Sequence, residues 1–208
     1  MLQPVDTIIF DVGMVLYQWD IRHLYSKLIA DPAQLDHFLS DVLTLEWHSQ
    51  HDAGRALDEM VAELTEQHPQ HAELIGHYVP RWLETIPGPV PGMIDLAQRL
   101  AAQGTPLFGI TNFGVESWNM FRPTAPVFDL FQDIVVSGTE KLIKPDPAIY
   151  QLAIDRFGID PACALFIDDR ADNIASAIAC GLQGHVFRDA ATLEAELAER
   201  GVIDIVTT

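Results

Sequence analysis

Basic side chains are scarce in this chain: 12 Lys and Arg stand against 30 Asp and Glu, a net charge of −18. Only Lys27, Lys141 and Lys144 are lysines. Charge of this sign opposes nucleic acid and anionic membrane as partners, since both need cationic surface. Cysteine is nearly absent, with Cys163 and Cys180 alone. Two cysteines build no disulfide framework and suit a reducing cytoplasm. Both lie in apolar stretches and are expected in the core. No apolar run approaches the length of a bilayer crossing. A strand is expected almost at once, and no secretory signal is expected, since the charged and apolar regions of one are not seen ahead of it. One further absence is local. Asp11-Val12-Gly13 carries no second acid two residues after the first.

What is present is a foldable, patterned chain. Of its 208 residues 49% are hydrophobic, which supports a packed core and a single large domain or a core with an inserted module. An apolar strand is expected over residues 5–10. A helical block follows over 21–84, with Leu35, Phe38, Leu39, Val42 and Leu43 at helical spacing. Asp31-Pro32 and His68-Pro69 mark helix starts or breaks inside it. Pro87-Gly88-Pro89-Val90-Pro91-Gly92 then ends it.

From there helices and strands alternate. Strands are expected over 106–110, 133–136, 162–167 and 183–187, and helices over 93–103, 146–157, 171–180 and 191–200. Such alternation predicts an α/β fold, a Rossmann-like doubly wound parallel sheet with helices on both faces. Residues 1–16 and 89–208 would form this core, and 17–88 an inserted all-helical cap over the carboxyl ends of the strands.

Those strand ends collect polar residues. Asp11 ends the first, Thr111-Asn112 the second, Ser137-Gly138 the third and Asp168-Asp169 the fourth. Lys144 precedes the next helix. Ligands gather on this rim in open α/β sheets. Three carboxylates at close range cannot all ionise without a cation, and hard oxygen donors suit Mg²⁺. Lys144 and Thr111 can hold an anionic group that Asp11 attacks. The chemistry read from these residues is metal-assisted phosphoryl transfer through an aspartyl phosphate. Each residue alone has a blander role, as a turn former, helix cap or solvated lysine. Their order along one sheet is what argues for a site.

Four motifs resemble those of the haloacid dehalogenase superfamily: Phe10-Asp11-Val12-Gly13-Met14-Val15-Leu16, Gly109-Ile110-Thr111-Asn112, Lys144-Pro145-Asp146-Pro147 and Leu165-Phe166-Ile167-Asp168-Asp169. The resemblance implies a hydrolase with Asp11 as nucleophile, Thr111 and Asn112 at the phosphate, and Lys144 as the neutralising charge. It implies Mg²⁺ held by Asp11, Asp168, Asp169 and the Gly13 carbonyl, and a helical cap of the C1 type. Gly13 departs from the pattern, because most phosphatases of this superfamily carry an acid there. Losing a general acid–base group typically lowers rate by about 10²–10⁴. A subgroup similar to sugar-1-phosphate phosphatases shares Asp-x-Gly with paired acids in the fourth motif.

Further substrate contacts are expected from Trp19, Asp20, Trp47 and Phe113, with Arg22, Arg55, Arg81, Trp82 and Glu116 ranked behind them. Asp20 is the candidate substitute for the missing acid. The run His48-Ser49-Gln50-His51-Asp52 reads as a solvated helix face, or as a metal pair at i, i+3 spacing. The expected activity is Mg²⁺-dependent hydrolysis of a small phosphate ester by a cytoplasmic monomer or homodimer. A metal-independent 2-haloacid dehalogenase and a non-catalytic binding protein are the alternatives.

Overall fold

The computed structural model describes residues 4–203. Residues 1–3 and 204–208, assigned above to the core, lie outside the described residues. Five strands form one parallel sheet: β1 (Thr7–Phe10), β2 (Leu107–Thr111), β3 (Asp133–Val136), β4 (Ala164–Asp168) and β5 (Gln183–Val186), in the order β3-β2-β1-β4-β5. The first strand therefore runs down the middle. Both faces of β1 are buried, as a central parallel strand requires. Alternation sends Ile8 and Phe10 to one hydrophobic cluster and Ile9 to the other.

Between β1 and the Pro/Gly run lie short helices: α1 (Ile21–Tyr25), α2 (Pro32–His37) continued by a π turn over Phe38–Val42, α3 (Leu45–Asp52), α4 (Leu57–Gln67) and α5 (Ala72–Gly76). Asp31 caps α2 by accepting from Gln34 N–H at 2.9 Å, and Pro32 fills the first turn, where its missing N–H is harmless. Leu24, Tyr25, Phe38 and Trp82 of this segment share one apolar cluster with Ile8, Phe10 and Ile167 of the sheet. The segment is packed onto the strand ends by the same core that supports the sheet.

The remaining helices are α6 (Met93–Ala102), α7 (Val115–Phe121), α8 (Ser137–Glu140), α9 (Pro147–Phe157), α10 (Ala171–Ala179) and α11 (Ala190–Glu199). Most lie within a residue or two of expectation. α7, the short α8 and the 3-10 turns over Arg122–Thr124 and Pro126–Leu130 depart from expectation. Their aromatic residues pack on one another and on Phe113 just before α7, with Phe113 stacked on Phe121 at 5.8 Å and Trp118 against Phe128 at 5.1 Å. The cysteines correct another expectation. Cys163 and Cys180 are free thiols of intermediate burial, at the edge of the packing and not within it. Among the described residues no helix is long and apolar enough to cross a membrane.

Candidate active site

The register of the sheet brings the acids together. Phe10 pairs with Ile167, so the next residues, Asp11 and Asp168, stand side by side on neighbouring strands. Asp11 N–H extends the ladder by donating to Ile167 C=O at 2.8 Å. The chain then turns sharply. Val12 N–H donates to Asp11 Oδ1 at 2.7 Å, and Met14 takes a left-handed φ of 59° while its N–H reaches Tyr17 C=O at 2.7 Å. This leaves Asp11 on the rim with one carboxylate oxygen held by the backbone.

Lys144 lies between the acids. Its Nζ is 2.9 Å from Asp11 Oδ1, 2.7 Å from Asp168 Oδ2 and 3.0 Å from Ile110 C=O, and the side chain is buried. The ammonium donates to Asp168 and to Ile110 C=O and pairs by charge with Asp11. Asp168 is further held by Arg170 N–H at 2.8 Å and by the Asn173 amide at 2.9 and 3.0 Å. Burial pushes the Asp11 carboxyl well above its ordinary range, and the Asp168 charge adds to this; Lys144 pulls the other way without cancelling them. Burial alone would lower Lys144, but the two carboxylates raise it above its usual value. Asp169 is also raised, by burial and then by Asp168.

One ammonium facing three acids leaves surplus negative charge. Asp11, Asp168 and Asp169 each bring a carboxylate oxygen within 4.8 Å of the others. Hard oxygen donors in such a cluster fit a divalent cation of the Mg²⁺ type. Beside them, Thr111 Oγ1 is fully buried with no hydrogen-bond partner among the described residues. Buried hydroxyls are normally satisfied, so this one is available to an anionic ligand.

A cleft of about 250 Å³ reaches this cluster at Asp169 and is lined by Gly13, Trp19, Asp52, Trp82 and Phe113 among others. Of the residues expected at the site, Asp11, Lys144, Asp168 and Asp169 converge, Thr111 ends the neighbouring strand β2, and Gly13, Trp19, Asn112 and Phe113 line the cleft. The Asn112 side chain is also spent on the Lys144 backbone, donating to its C=O at 3.1 Å and accepting from its N–H at 2.8 Å. It thus holds the lysine loop in place.

Asp20 and Trp47 are not brought to the cleft. Asp20 is the exposed N-cap of α1, accepting from Arg22 N–H at 2.8 Å, and borders a second cavity. Trp47 is buried edge-on against Tyr78 at 5.4 Å. Arg55 and Arg81 are paired with Glu63 and Glu84, and Lys27 with Glu84 at 2.9 Å.

The run from His48 to Asp52 is not a solvated face. His51 is fully buried, with Nε2 3.0 Å from Ser117 Oγ and Nδ1 3.0 Å from Arg55 C=O. His48 stacks on Trp19 at 4.7 Å and meets Tyr78 Oη at 2.6 Å through Nδ1. Burial holds its pKa down to about 3, so the ring is neutral. Asp52 faces the cleft. Nothing in the local pattern marked it, because polar i, i+4 residues usually lie on a wet face.

The chain is similar to the sesquiterpene phosphatase astK of Aspergillus oryzae, 26% identical over 92% of this chain and 94% of that one. It is 30% identical to flavin mononucleotide hydrolase 1 of Arabidopsis thaliana over 53% of its own length and 45% of that protein's, less than half of the relative. A HAD family enzyme of Bacteroides thetaiotaomicron, solved with magnesium and inorganic phosphate, shares the fold with a TM-score of 0.69 at 20% identity, covering 89% of this chain and 96% of that one. The haloacid dehalogenase-like hydrolase pattern matches residues 5–181, and the chain belongs to that family of hydrolases.

Proposed function

We infer that this hydrolase is a Mg²⁺-dependent phosphatase of a small phosphate monoester, of the Asp-x-Gly kind similar to sugar-1-phosphate phosphatases. The observation that carries the reading is the three-acid cluster around Lys144, with the unpartnered Thr111 hydroxyl beside it. Asp11 is the nucleophile. Its free carboxylate oxygen attacks phosphorus, the bond to the ester oxygen breaks, and an aspartyl phosphate forms. Thr111 donates to a phosphoryl oxygen, and Lys144 favours the ionised form of Asp11 and aims it. Asp11, Asp168, Asp169 and the Gly13 carbonyl are the groups that would hold Mg²⁺. When bound, the ion offsets the charge of the phosphoryl group.

The cleft volume suits a small leaving group, and its walls of Trp19, Trp82, Phe113 and Met14 favour one with an apolar face. Hydrolase relatives that act on phosphate esters support the same class. Phosphate release across a panel of sugar, glycerol and aryl phosphates tests this, with Mg²⁺ and with EDTA. Turnover is expected only with the metal, and Asp11→Asn should abolish it while keeping the fold. Release that is absent for every ester, or equal in EDTA, refutes the reading.

Gly13 favours a second reading, a metal-independent 2-haloacid dehalogenase. It predicts chloride release from 2-haloacids in EDTA, and a chloride electrode that stays at the blank removes it for the acids tried.

A further inference from the structure

We propose that Asp52, at the carboxyl end of α3, is the acid–base group of this active site and does the work that an acid at position 13 would otherwise do. The assignment rests on the phosphatase reading above. Three features carry it.

The first is space. A Cβ placed on Gly13 would meet nothing within 4 Å, so the motif loop leaves a gap beside the nucleophile. Asp52 lines the same cleft as Gly13 and Asp169. The second is fixation. Ser137 Oγ donates to the Asp52 C=O at 2.5 Å and itself accepts from Phe113 N–H at 2.9 Å. The His51 ring fills the space where Gly114 lacks a side chain, with Cβ-to-ring distances of 2.0 Å. Gly54 comes so close to Gly138 that a Cβ there would lie 2.8 Å from its carbonyl. The end of α3 is thus clamped to the rims of β2 and β3 on both sides of Asp52. Such preorganisation is what an acid–base group needs.

The third is surroundings. His48 faces Asp52 from the same helix, with Nε2 3.7 Å from Oδ1. Asp11, Lys144, Tyr78 and the Gly114 N–H act on it from the other elements. Burial, reinforced by the Asp11 charge, pushes its carboxyl up to about 7, against the pull of Gly114 N–H and Lys144. Groups poised near the working pH serve best as both acid and base. The competitors fail on the same grounds. His48 is held unprotonated, Asp20 lies outside the cleft, and Arg170 is paired with Asp172.

The chemistry closes on itself. As Asp11 attacks and the ester P–O bond breaks, protonated Asp52 gives its proton to the departing oxygen, which leaves as the alcohol. Asp52, now a carboxylate, takes a proton from the water that attacks the aspartyl phosphate. The bond to Asp11 breaks, inorganic phosphate leaves, and Asp52 is protonated again.

The test compares phenyl phosphate, whose leaving group needs a proton, with 2,4-dinitrophenyl phosphate, whose leaving group does not. Both are run with Mg²⁺ on the full chain. Asp52→Asn is expected to lower phenyl phosphate turnover by about 10²–10⁴. With the dinitrophenyl ester it should release one equivalent of dinitrophenol in a burst and then stall. The stalled chain should carry phosphate on Asp11, seen by mass spectrometry, and the burst shows that the site is folded. Adding Gly13→Asp should restore phenyl phosphate turnover, because that side chain enters open space. Wild-type phenyl phosphate rates in Asp52→Asn, or equal losses on both esters without a burst, overturn the assignment. The wild type gives a second measurement that needs no variant. Its rate of aspartyl phosphate formation should depend little on the leaving group, and a steep dependence overturns the proposal. A wild type inactive on every ester sinks the phosphatase reading itself. An active wild type matched by Asp52→Asn sinks only Asp52.

Discussion

Replacing Lys144 with Met tests the electrostatic logic of the site directly. Met keeps most of the stem that packs near the Phe166 ring, 5.4 Å from the ammonium, and deletes the charge. Two carboxylates then lose a partner at 2.9 and 2.7 Å, and Ile110 C=O loses a donor at 3.0 Å. Breaking a buried pair from one side typically destabilises by about 3–5 kcal/mol. Asp11 limits the damage. Its carboxyl is already raised by burial, and without Lys144 it rises further and takes up a proton. A carboxyl raised in the folded state binds its proton there and not in the unfolded chain. Its contribution is therefore present at low pH and lost as pH rises through the folded value. Lys144→Met should sit near about 3 kcal/mol of loss at pH 6 and nearer about 5 at pH 8. Mg²⁺ should recover more stability in the variant than in the wild type, since the acids then have no other counter-charge. Urea unfolding followed by tryptophan fluorescence at both pH values, with Mg²⁺ or EDTA, measures all three. A loss below about 1 kcal/mol, the scale of surface pairs, or one equal at pH 6 and 8, would refute the reasoning.

Gly114→Ala should destabilise by about 1–3 kcal/mol, because its Cβ runs into the His51 ring. Adding His51→Ala should cost less than the sum of the two single changes, as a double-mutant cycle in urea will report. His48 is neutral in the folded state down to about pH 3, so the unfolded chain binds a proton that the folded chain refuses. Stability should therefore fall as pH drops from about 6.5 towards 3, by at most about 1.4 kcal/mol per pH unit. Asp52 acts in the opposite sense below about 7, so Asp52→Asn should steepen the acid decline and His48→Gln flatten it. Asp20→Ala should lower stability by about 1 kcal/mol through the lost cap of α1, with phenyl phosphate turnover kept.

The strand-end residues were legible because each follows an apolar run that must be buried, and a charge placed there has only the rim to occupy. Parallel register then does the rest, bringing Asp11 beside Asp168 whatever lies between them in the chain. Asn112 was harder to read. Its type suits a phosphate contact, yet both ends of its amide are tied to Lys144. Asp20 and Asp52 show the boundary most clearly. Asp20 lies just after the first motif in sequence and became a helix cap. Asp52 lies on a polar helix, and only packing against Gly114 and Gly138 turns that face inward. Such contacts are between residues far apart in the chain, and no local pattern encodes them. The same holds for α7, whose aromatic residues carry no clean period because they pack on one another.

The fit of His51 against Gly114 also bears on how this protein can be recombined. The ring occupies the volume of a side chain that the core does not have, and its Nε2 meets Ser117 one helical turn further on. A graft of residues 17–88 onto a relative's sheet would collide with any larger residue at the position of Gly114. The transferable unit is therefore discontinuous: the helical segment together with Gly114 and Ser117. Inheritance of one without the others should be selected against.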